Sequence, residues 1–272
     1  MLADLSDEAL AAAIEASPSE YWRACCSYLP DAEFHDEPGM TWFVTGIRSA
    51  HWYNQVMRAQ LSPGEAGTRI DETLALFQER GVPMLWSVSA SDGPANVEQM
   101  LENRGLTKTG TLVGMACELD GSFTNETSTL PAIVVERVRD AGGLQQWANA
   151  YIEGFEMPES AARPLHDVYA GAGFDDSAPF RHYVGLLEGT PVASSTLFLG
   201  AGIAGVWHVS TDPAARRRGI GMAMTRTPLT DARAIGYRIG TLYASEMGVS
   251  VYSHLGFQEY TRMTQYHWEP AI

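Results

Sequence analysis

One segment, Val209 to Gly221, most constrains how this chain can fold. Its order of strand, proline turn, three arginines (Arg216–Arg218), two glycines and helical pattern predicts a loop leading into a helix N-terminus. The first amide groups of a helix have no internal acceptor, and the helix dipole favours negative charge there. The whole chain carries a formal net charge of −15, so the positive charge of this loop is opposite in sign to the charge of the protein as a whole. We interpret it as an anion site.

Two other phosphate loops do not fit this segment. A Walker A loop ends in Gly-Lys-Ser/Thr, but the single lysine, Lys108, lies in the other half of the chain. A dinucleotide fingerprint has the form Gly-x-Gly-x-x-Gly and opens a parallel βαβ unit. Here the spacing is Arg-x-x-Gly-x-Gly, and a predicted hairpin of 182–187 and 191–199 precedes it. Neither alternative therefore fits the segment.

The segment resembles the acetyl-coenzyme A pyrophosphate loop of the GNAT N-acetyltransferase superfamily. A second signature follows at the distance expected for that family: Leu242-Tyr243-Ala244-Ser245, then Val251-Tyr252-Ser253-His254-Leu255-Gly256-Phe257. The Tyr-x-x-x-Gly-Phe ending is typical of the family. The resemblance covers about residues 131–268, and two correctly spaced motifs make it specific.

The resemblance implies that acetyl-coenzyme A binds as a co-substrate and that no metal takes part. Pantetheine would insert between the strands 203–209 and 239–244, and the backbone from Val209 to Thr211 would polarise the thioester carbonyl. The cofactor-binding residues that the resemblance implies are Val209, Ser210, Thr211, Arg216, Arg217, Arg218, Gly219, Ile220, Gly221, Met222, Ser245 and Tyr252.

The resemblance also implies catalytic roles. Tyr252 matches the family tyrosine that protonates the departing thiolate, and Ser245 is expected to cap the short helix that carries it. A free amine needs a proton acceptor, and the family often uses a carboxylate on the strand before the loop. This chain has His208 on that strand, so His208 is the first candidate for the general base and Glu246 the second.

Structural roles compete with several of these assignments. A tyrosine at the position of Tyr252 also packs well in a core, and a lone histidine on a strand such as His208 is more often structural than catalytic. Trp147, Tyr151 and Phe155 recur at helical spacing, which is typical of core residues.

Acidic residues also have two interpretations. A set near the expected acceptor pocket can attract a cationic amine or form a solvated face: Glu153, Glu156 and Glu159. The run His35-Asp36-Glu37 suggests metal ligands, but it has no second ligand cluster, so we interpret it as a loop.

Composition limits the partners and the compartment. A strongly acidic surface disfavours nucleic acid and anionic lipid and permits a small cationic substrate. Cys25 and Cys26 are adjacent and Cys117 is distant, so the cysteines form no disulfide framework. The acidic N-terminus lacks a signal-peptide pattern, and no apolar run approaches 18 residues. These features predict a cytoplasmic protein.

The order of predicted elements indicates an α+β fold of two tandem GNAT-like domains, each with a mixed or antiparallel central sheet flanked by helices. A polar, turn-rich stretch at 121–131 predicts a linker, which gives domains at 1–126 and 131–272. Both halves end in the order helix, strand, helix, glycine, strand, which indicates a duplication.

The N-terminal copy is predicted to be non-catalytic. Alignment of Gly105 with Gly256 puts Leu101 where the other copy has Tyr252, and the loop 61–68 has no arginine triplet. An acidic loop there would repel pyrophosphate, so this domain is expected to bind no cofactor and to line the acceptor pocket.

The sequence therefore predicts an acetyl-coenzyme A-dependent N-acetyltransferase that acts directly on the primary amine of a small molecule. The alternative is a non-catalytic acyl-coenzyme A sensor, which would keep the loop and need no Tyr252. The sequence leaves the acceptor, the oligomeric state and the choice of base open.

Overall fold

The structure, a computed structural model, describes residues 1–120 and 133–271. Two compact units divide the chain: Met1–Tyr21 with Gly114–Tyr260, and Trp22–Val113 with Thr261–Ile272. We call them the C-terminal unit and the N-terminal unit, after the half of the sequence that supplies most of each. The predicted linker at 121–131 lies outside the described residues, and the domain boundaries at 126 and 131 stay a prediction.

The elements follow the chain in this order. The N-terminal half contains α1 (Asp7–Cys26), β1 (Glu33–Glu37), β2 (Met40–Val44), β3 (Asn54–Ala59), α2 (Ala66–Arg80), β4 (Met84–Ser89), α3 (Val97–Glu102) and β5 (Thr107–Glu118). The C-terminal half contains β6 (Ile133–Arg137), α4 (Ala141–Phe155), α5 (Glu159–Ala172), β7 (Phe180–Leu187), β8 (Thr190–Gly200), β9 (Ile203–Thr211), α6 (Ile220–Ala234), β10 (Ile239–Ser245), α7 (Val249–Ser253) and β11 (Gln258–Trp268).

The sheet of the C-terminal unit has the strand order β5-β10-β9-β8-β7-β6. Strands β6 to β9 are antiparallel neighbours, whereas β10 lies parallel to β9. Parallel neighbours cannot be joined by a tight turn, and α6 supplies the connection. This mixed sheet with helices confirms the predicted α+β class.

Helix α4 packs against this sheet through the face that the sequence predicted. It begins where the Asp140 side chain accepts a hydrogen bond from the Gly143 amide at 2.8 Å. Trp147 and Tyr151 are buried, as expected, but Phe155 is 47% exposed. The prediction that Phe155 is a core residue was therefore wrong, because it is the last helical residue before the chain turns at Glu156 (φ 53°).

Helix α1 covers another part of the C-terminal unit. Leu10 and Ile14 are buried in one apolar cluster with Ile203 of β9 and Ile239 of β10. The amphipathic N-terminus is thereby accounted for, since burial of its apolar face supplies most of the stability that such a helix has.

The sheet of the N-terminal unit has the order β1-β2-β3-β4-β11-β5. Strands β3 and β4 of this sheet are parallel, and α2 connects them and ends at Gly81 in the left-handed region (φ 61°). Phe77, Trp86 and Tyr266 lie in its apolar core.

The two halves of the chain repeat one order of elements. Strands β1, β2 and β3 with α2, β4, α3 and β5 correspond to β7, β8 and β9 with α6, β10, α7 and β11, which supports the predicted duplication. The interpretation of His35-Asp36-Glu37 as a loop was wrong, because these residues lie in β1 and pair with β2.

Candidate functional site

Strands β9 and β10 diverge after a short parallel contact. The paired positions are Gly240 with Ala204 and Thr241 with Gly205, yet β9 continues to Thr211 and β10 to Ser245. Beyond Gly205 and Thr241, the described strands therefore open into a notch between two backbone edges. Unpaired strand edges present amide and carbonyl groups to whatever enters.

A β-bulge in β9 lies beside this notch. Trp207 pairs with Thr196 and Ser210 pairs with Ser194, so two residues, His208 and Val209, face one residue of β8. His208 has a positive φ of 53°, which is uncommon for a residue with a side chain. The His208 ring lies near Tyr21 of α1, Tyr151 of α4 and Tyr169 of α5.

Hydroxyl groups fix the bulge from both sides. Ser194 donates to the carbonyl of His208 at 3.0 Å, and Ser210 donates to the carbonyl of Ala150 in α4 at 3.0 Å. Helix α4 lies so close that a Cβ at Gly154 would stand 2.6 Å from the Ser210 side chain and 2.9 Å from the Thr211 nitrogen. The bulge is thus held by the contact between α4 and β9.

The basic loop joins β9 to α6. A short 3-10 turn at Pro213–Ala215 begins with the Asp212 side chain accepting from the Ala214 amide at 2.8 Å. Arg217 (φ 63°) and Gly219 (φ 76°) then adopt left-handed conformations, which turn the chain into α6. The Ala223 amide donates to the Gly219 carbonyl at 3.2 Å. The amides of Ile220, Gly221 and Met222 precede it at the helix N-terminus.

The space next to Gly221 is open. A Cβ built there meets no heavy atom within 4 Å, and Gly221 itself lacks a positive φ. An anion can therefore approach the first turn of α6 closely. The predicted cofactor-binding residues around this point, including Met222, come together in one continuous loop and helix start.

The three arginines differ in their surroundings. Arg216 donates through Nε to the Thr211 carbonyl at 3.1 Å and through Nη2 to the Gly154 carbonyl at 2.8 Å. Its second Nη2 contact is the Glu156 carboxylate at 3.3 Å. Arg216 therefore connects the loop to the end of α4, while Arg217 and Arg218 are exposed.

Tyr252 lies on α7 and approaches α6. Burial raises the pKa of its phenol, and a hydrogen bond with Thr225 partly offsets this effect. Since the pKa is above its ordinary value of about 10, the hydroxyl is protonated at neutral pH. The helix ends at Ser253 with His254 as its C-cap. After it, the Phe257 amide donates to the Tyr252 carbonyl at 3.1 Å, and Gly256 turns the chain with a φ of 85°.

Ser245 and Glu246 follow β10 on the surface. Both are exposed, and α7 begins at Val249 with Gly248 at its N-cap and no side-chain cap. The prediction that Ser245 caps this helix was wrong, because a turn in which the Gly248 amide donates to the Ser245 carbonyl at 2.8 Å intervenes.

His208 lies in a cluster of aromatic side chains. Its Nε2 is 2.9 Å from the hydroxyl of Tyr21, which is 2.6 Å from the hydroxyl of Tyr169. The rings of Tyr151 and Trp147 stand edge-on to the imidazole at 5.1 Å and 6.2 Å. Desolvation by this environment lowers the pKa of His208 to about 3, so the ring is neutral at physiological pH.

The sequence pattern missed both tyrosines of this network. Tyr21 lies in α1, far along the chain from the motifs, and nothing in its local pattern marks it. Tyr169 fits the apolar spacing of α5 and reads as a core residue. Only the bulge at His208, which no sequence period predicts, brings its ring to these hydroxyls.

The acidic residues predicted near the acceptor pocket separate in the structure. Glu156 contacts Arg216, whereas Glu153 and Glu159 line a groove of about 550 Å³ between α4 and α5. Arg163 and His166 lie in the same groove, so its charge is mixed.

The N-terminal unit closes the gap that corresponds to the notch. After the parallel pairs of β3 and β4, Gly93 donates to the Ala59 carbonyl at 3.2 Å and the Asp92 carboxylate accepts from the Ala59 amide at 2.8 Å. At the start of α2, the carboxylate of Glu65 accepts from the Ser62 amide at 3.2 Å. Leu101 is fully buried. In the described part of this unit, Asp92 and Gly93 therefore occupy the gap that follows the paired part of β3 and β4.

The described residues contain neither a membrane-spanning helix nor a cluster of metal ligands. Across 1–120 and 133–271, no helix combines the length and apolarity that a membrane crossing requires. The same residues contain no group of three or more His, Cys, Asp or Glu side chains that could hold a metal ion.

Comparison with known proteins agrees with this geometry. Residues 199–260 match the family model described as acetyltransferase (GNAT) domain. This range spans β9, the loop, α6, β10, α7 and the start of β11. A search of curated proteins finds no significant match.

Solved structures match over almost the whole chain. A GCN5-related N-acetyltransferase from Kribbella flavida is 14% identical, with 96% of each chain covered and a TM-score of 0.68. A functionally unknown conserved protein from Staphylococcus epidermidis is 12% identical, with 89% of this chain and 95% of that chain covered, at a TM-score of 0.68. A tandem GNAT protein from the clavulanic acid biosynthesis pathway is 11% identical, with 89% and 85% covered, at 0.57.

Residues 199–260 are thus similar to a GNAT acetyltransferase domain, and the fold of the chain is the GNAT fold. Solved structures with the GNAT fold, among them a tandem GNAT protein, cover most of this chain, and the family match lies within residues 199–260.

Proposed function

We propose that the chain is an acetyl-coenzyme A-dependent N-acetyltransferase that transfers the acetyl group directly to a primary amine of a small molecule. The observation that carries this proposal is the notch between β9 and β10, which opens beside the bulge at His208 and the free N-terminus of α6. Acetyl-coenzyme A is the co-substrate, and the active unit is the C-terminal one.

The loop would hold the diphosphate of this co-substrate. Backbone amides of Gly219 to Met222 provide donors, the helix dipole adds a favourable field, and Arg217 and Arg218 are exposed to contribute charge. The open space at Gly221 supports the fit. Arg216 keeps the loop attached to α4 through its bonds to the Gly154 and Thr211 carbonyls.

The edges of the notch would bind the rest of the molecule. The amides from Val209 to Thr211 are fixed by the bulge, so they can donate to a carbonyl oxygen without rearranging. Donors that are already oriented stabilise the negative charge that develops on that oxygen during acyl transfer.

His208 would take the proton from the attacking nitrogen. The imidazole is neutral, so its lone pair is available, but its depressed pKa makes it a weak base. The acceptor must therefore enter as the free amine, and its N–H becomes acidic enough for His208 as the new C–N bond forms. Glu246, which is exposed beyond β10, remains the second candidate.

Tyr252 would donate a proton to the departing thiolate. Its phenol is protonated at neutral pH because burial raises its pKa, and it lies on the short helix beyond β10. The carbonyl electron pair re-forms the C=O bond, the C–S bond breaks, and the thiolate sulfur receives the phenol proton.

The experiment for this proposal is a screen of small primary amines for acetyl-coenzyme A-dependent thiol release, with mass detection of the acetylated amine. At least one amine should give matched amounts of free thiol and N-acetyl product. If coenzyme A binds but no amine gives thiol release, the chain is instead a non-catalytic acyl-coenzyme A sensor.

A further inference from the structure

The N-terminal helix α1 places one side chain inside the C-terminal unit next to the bulge. Tyr21 is fully buried, with its ring stacked on Trp207 at 4.2 Å. The edges of Phe180 and Phe198 contact it at 5.6 Å and 5.5 Å. Because these rings hold the phenol from several sides, the position of its hydroxyl is fixed.

That hydroxyl stands between two polar groups. It is 2.9 Å from His208 Nε2 and 2.6 Å from the hydroxyl of Tyr169. A phenol oxygen can accept one hydrogen bond while its own O–H donates another. Tyr21 can therefore accept from an Nε2–H of His208 and donate to Tyr169 at the same time.

We propose that Tyr21 is a positioning residue of the acetyl-transfer site, which holds His208 in the Nε2–H tautomer and keeps the Nδ1 lone pair available for the acceptor amine. The proposal rests on the proposed function, since it assigns a partner to the base in that mechanism. A histidine acts as a base only through its unprotonated nitrogen, and the hydrogen bond at the other nitrogen decides which one that is.

The proton balance is simple. As the amine nitrogen bonds to the thioester carbon, its proton passes to His208 Nδ1, while the proton on Nε2 stays in its bond to Tyr21. The resulting imidazolium has two N–H groups, and the Tyr21 oxygen stabilises the one at Nε2. A neutral phenol thus performs the orienting role that a carboxylate performs in a Ser-His-Asp triad.

The experiment compares Tyr21→Phe with Tyr183→Phe. The first change removes the hydroxyl next to His208 and keeps the stacked ring. The second removes another hydroxyl of the same unit, which donates to Asp231 at 2.8 Å away from the His208 network. It therefore controls for the general effect of losing a phenol hydroxyl.

Two readouts are needed. Ring nitrogen shifts in protein labelled with ¹⁵N-histidine, with the His208 signals identified by their loss in His208→Gln, report the tautomer. Wild type and Tyr183→Phe should show protonated Nε2, and Tyr21→Phe should show a mixture or protonated Nδ1. In kinetics, Tyr21→Phe should lower kcat by about tenfold with the KM for acetyl-coenzyme A unchanged.

Two results would overturn the proposal. One is protonated Nδ1 in the wild type, and the other is a Tyr21→Phe protein whose tautomer and kcat match those of Tyr183→Phe. A failure of the proposed function itself looks different, because wild type and Tyr183→Phe would then both release no thiol with any amine.

Discussion

At the scale of single residues, the site combines two groups whose protonation burial has shifted in opposite ways. Burial keeps His208 neutral by lowering its pKa to about 3 and keeps Tyr252 protonated by raising its pKa. The proposed base and the proposed acid would therefore both be in their working forms at neutral pH. The sequence supplied the two residue types, but their states depend on neighbours that only the fold brings together.

Tyr252 offers a test of the acid. Tyr252→Phe should lower kcat by about a hundredfold, because the thiolate then leaves without a proton donor, while coenzyme A affinity stays within about threefold. Steady-state kinetics and calorimetry measure the two quantities, and Tyr183→Phe serves as the control. Equal turnover in Tyr252→Phe and wild type would remove Tyr252 from the mechanism.

Buried histidines predict how stability depends on pH. Burial lowers the pKa of His182, like that of His208, to about 3. Since the unfolded value is about 6.5, the folded state binds fewer protons below that pH. The stabilising contribution is complete above pH 6.5 and is lost as the pH falls toward 3.

The measurement is the free energy of unfolding at pH 7.5 and pH 5. Each of these histidines should account for about 2 kcal/mol of the loss, so His182→Gln should show a smaller loss than the wild type. His254→Gln, which changes an exposed histidine, should behave like the wild type. The same pH dependence in all three proteins would contradict this account.

At the scale of elements, the chemistry depends on how α4 and α6 approach β9. The sequence predicted α4, α6, β10 and the position of the loop, because apolar spacing, glycines and the arginine triplet mark them locally. It did not predict the bulge in β9 or the missing Ser245 cap. The bulge depends on hydrogen bonds to distant groups, such as Ser210 to Ala150, which leave no periodic signal. The missing cap results from a local turn between Ser245 and Gly248.

Gly154 tests the contact between α4 and β9. Gly154→Ala places a Cβ 2.6 Å from Ser210, so overpacking should destabilise the protein by about 1–3 kcal/mol. It should also lower kcat, because the added methyl group displaces the bulge in β9. Gly67→Ala in α2, where a Cβ meets only the flexible ends of Arg104 at 3.4 Å and Met100 at 3.8 Å, is the control and should lose no stability. Denaturant unfolding measures both. An unchanged stability in Gly154→Ala would show that the bulge does not need this close contact.

Gly221 tests the anion position at α6. Gly221→Val adds a side chain where nothing lies within 4 Å, so the fold should persist. Coenzyme A affinity should fall by about two orders of magnitude, which is about 2.7 kcal/mol. Gly64→Val, which also meets nothing within 4 Å in the N-terminal unit, should bind like the wild type. Calorimetry that finds wild-type affinity in Gly221→Val would place the cofactor elsewhere.

At the scale of the whole molecule, the two units share one order of helices and strands but differ at the position where a cofactor is proposed to bind. The C-terminal unit keeps an open notch and a basic loop, while the N-terminal unit closes the corresponding gap with Asp92 and Gly93 and has Glu65 at the start of α2. The sequence predicted this difference from the missing arginines and from Leu101. It could not predict the closure, which joins β3 to residues after β4.

The central claim is that coenzyme A binds once per chain, at the N-terminus of α6 and between β9 and β10. The most direct measurement is a crystal structure of the full chain with coenzyme A. The predicted result is one molecule, with its diphosphate on the amides of Gly219 to Met222 and its pantetheine arm in the notch. A molecule bound only outside these amides, one bound in the N-terminal unit as well, or none at millimolar coenzyme A would contradict the claim.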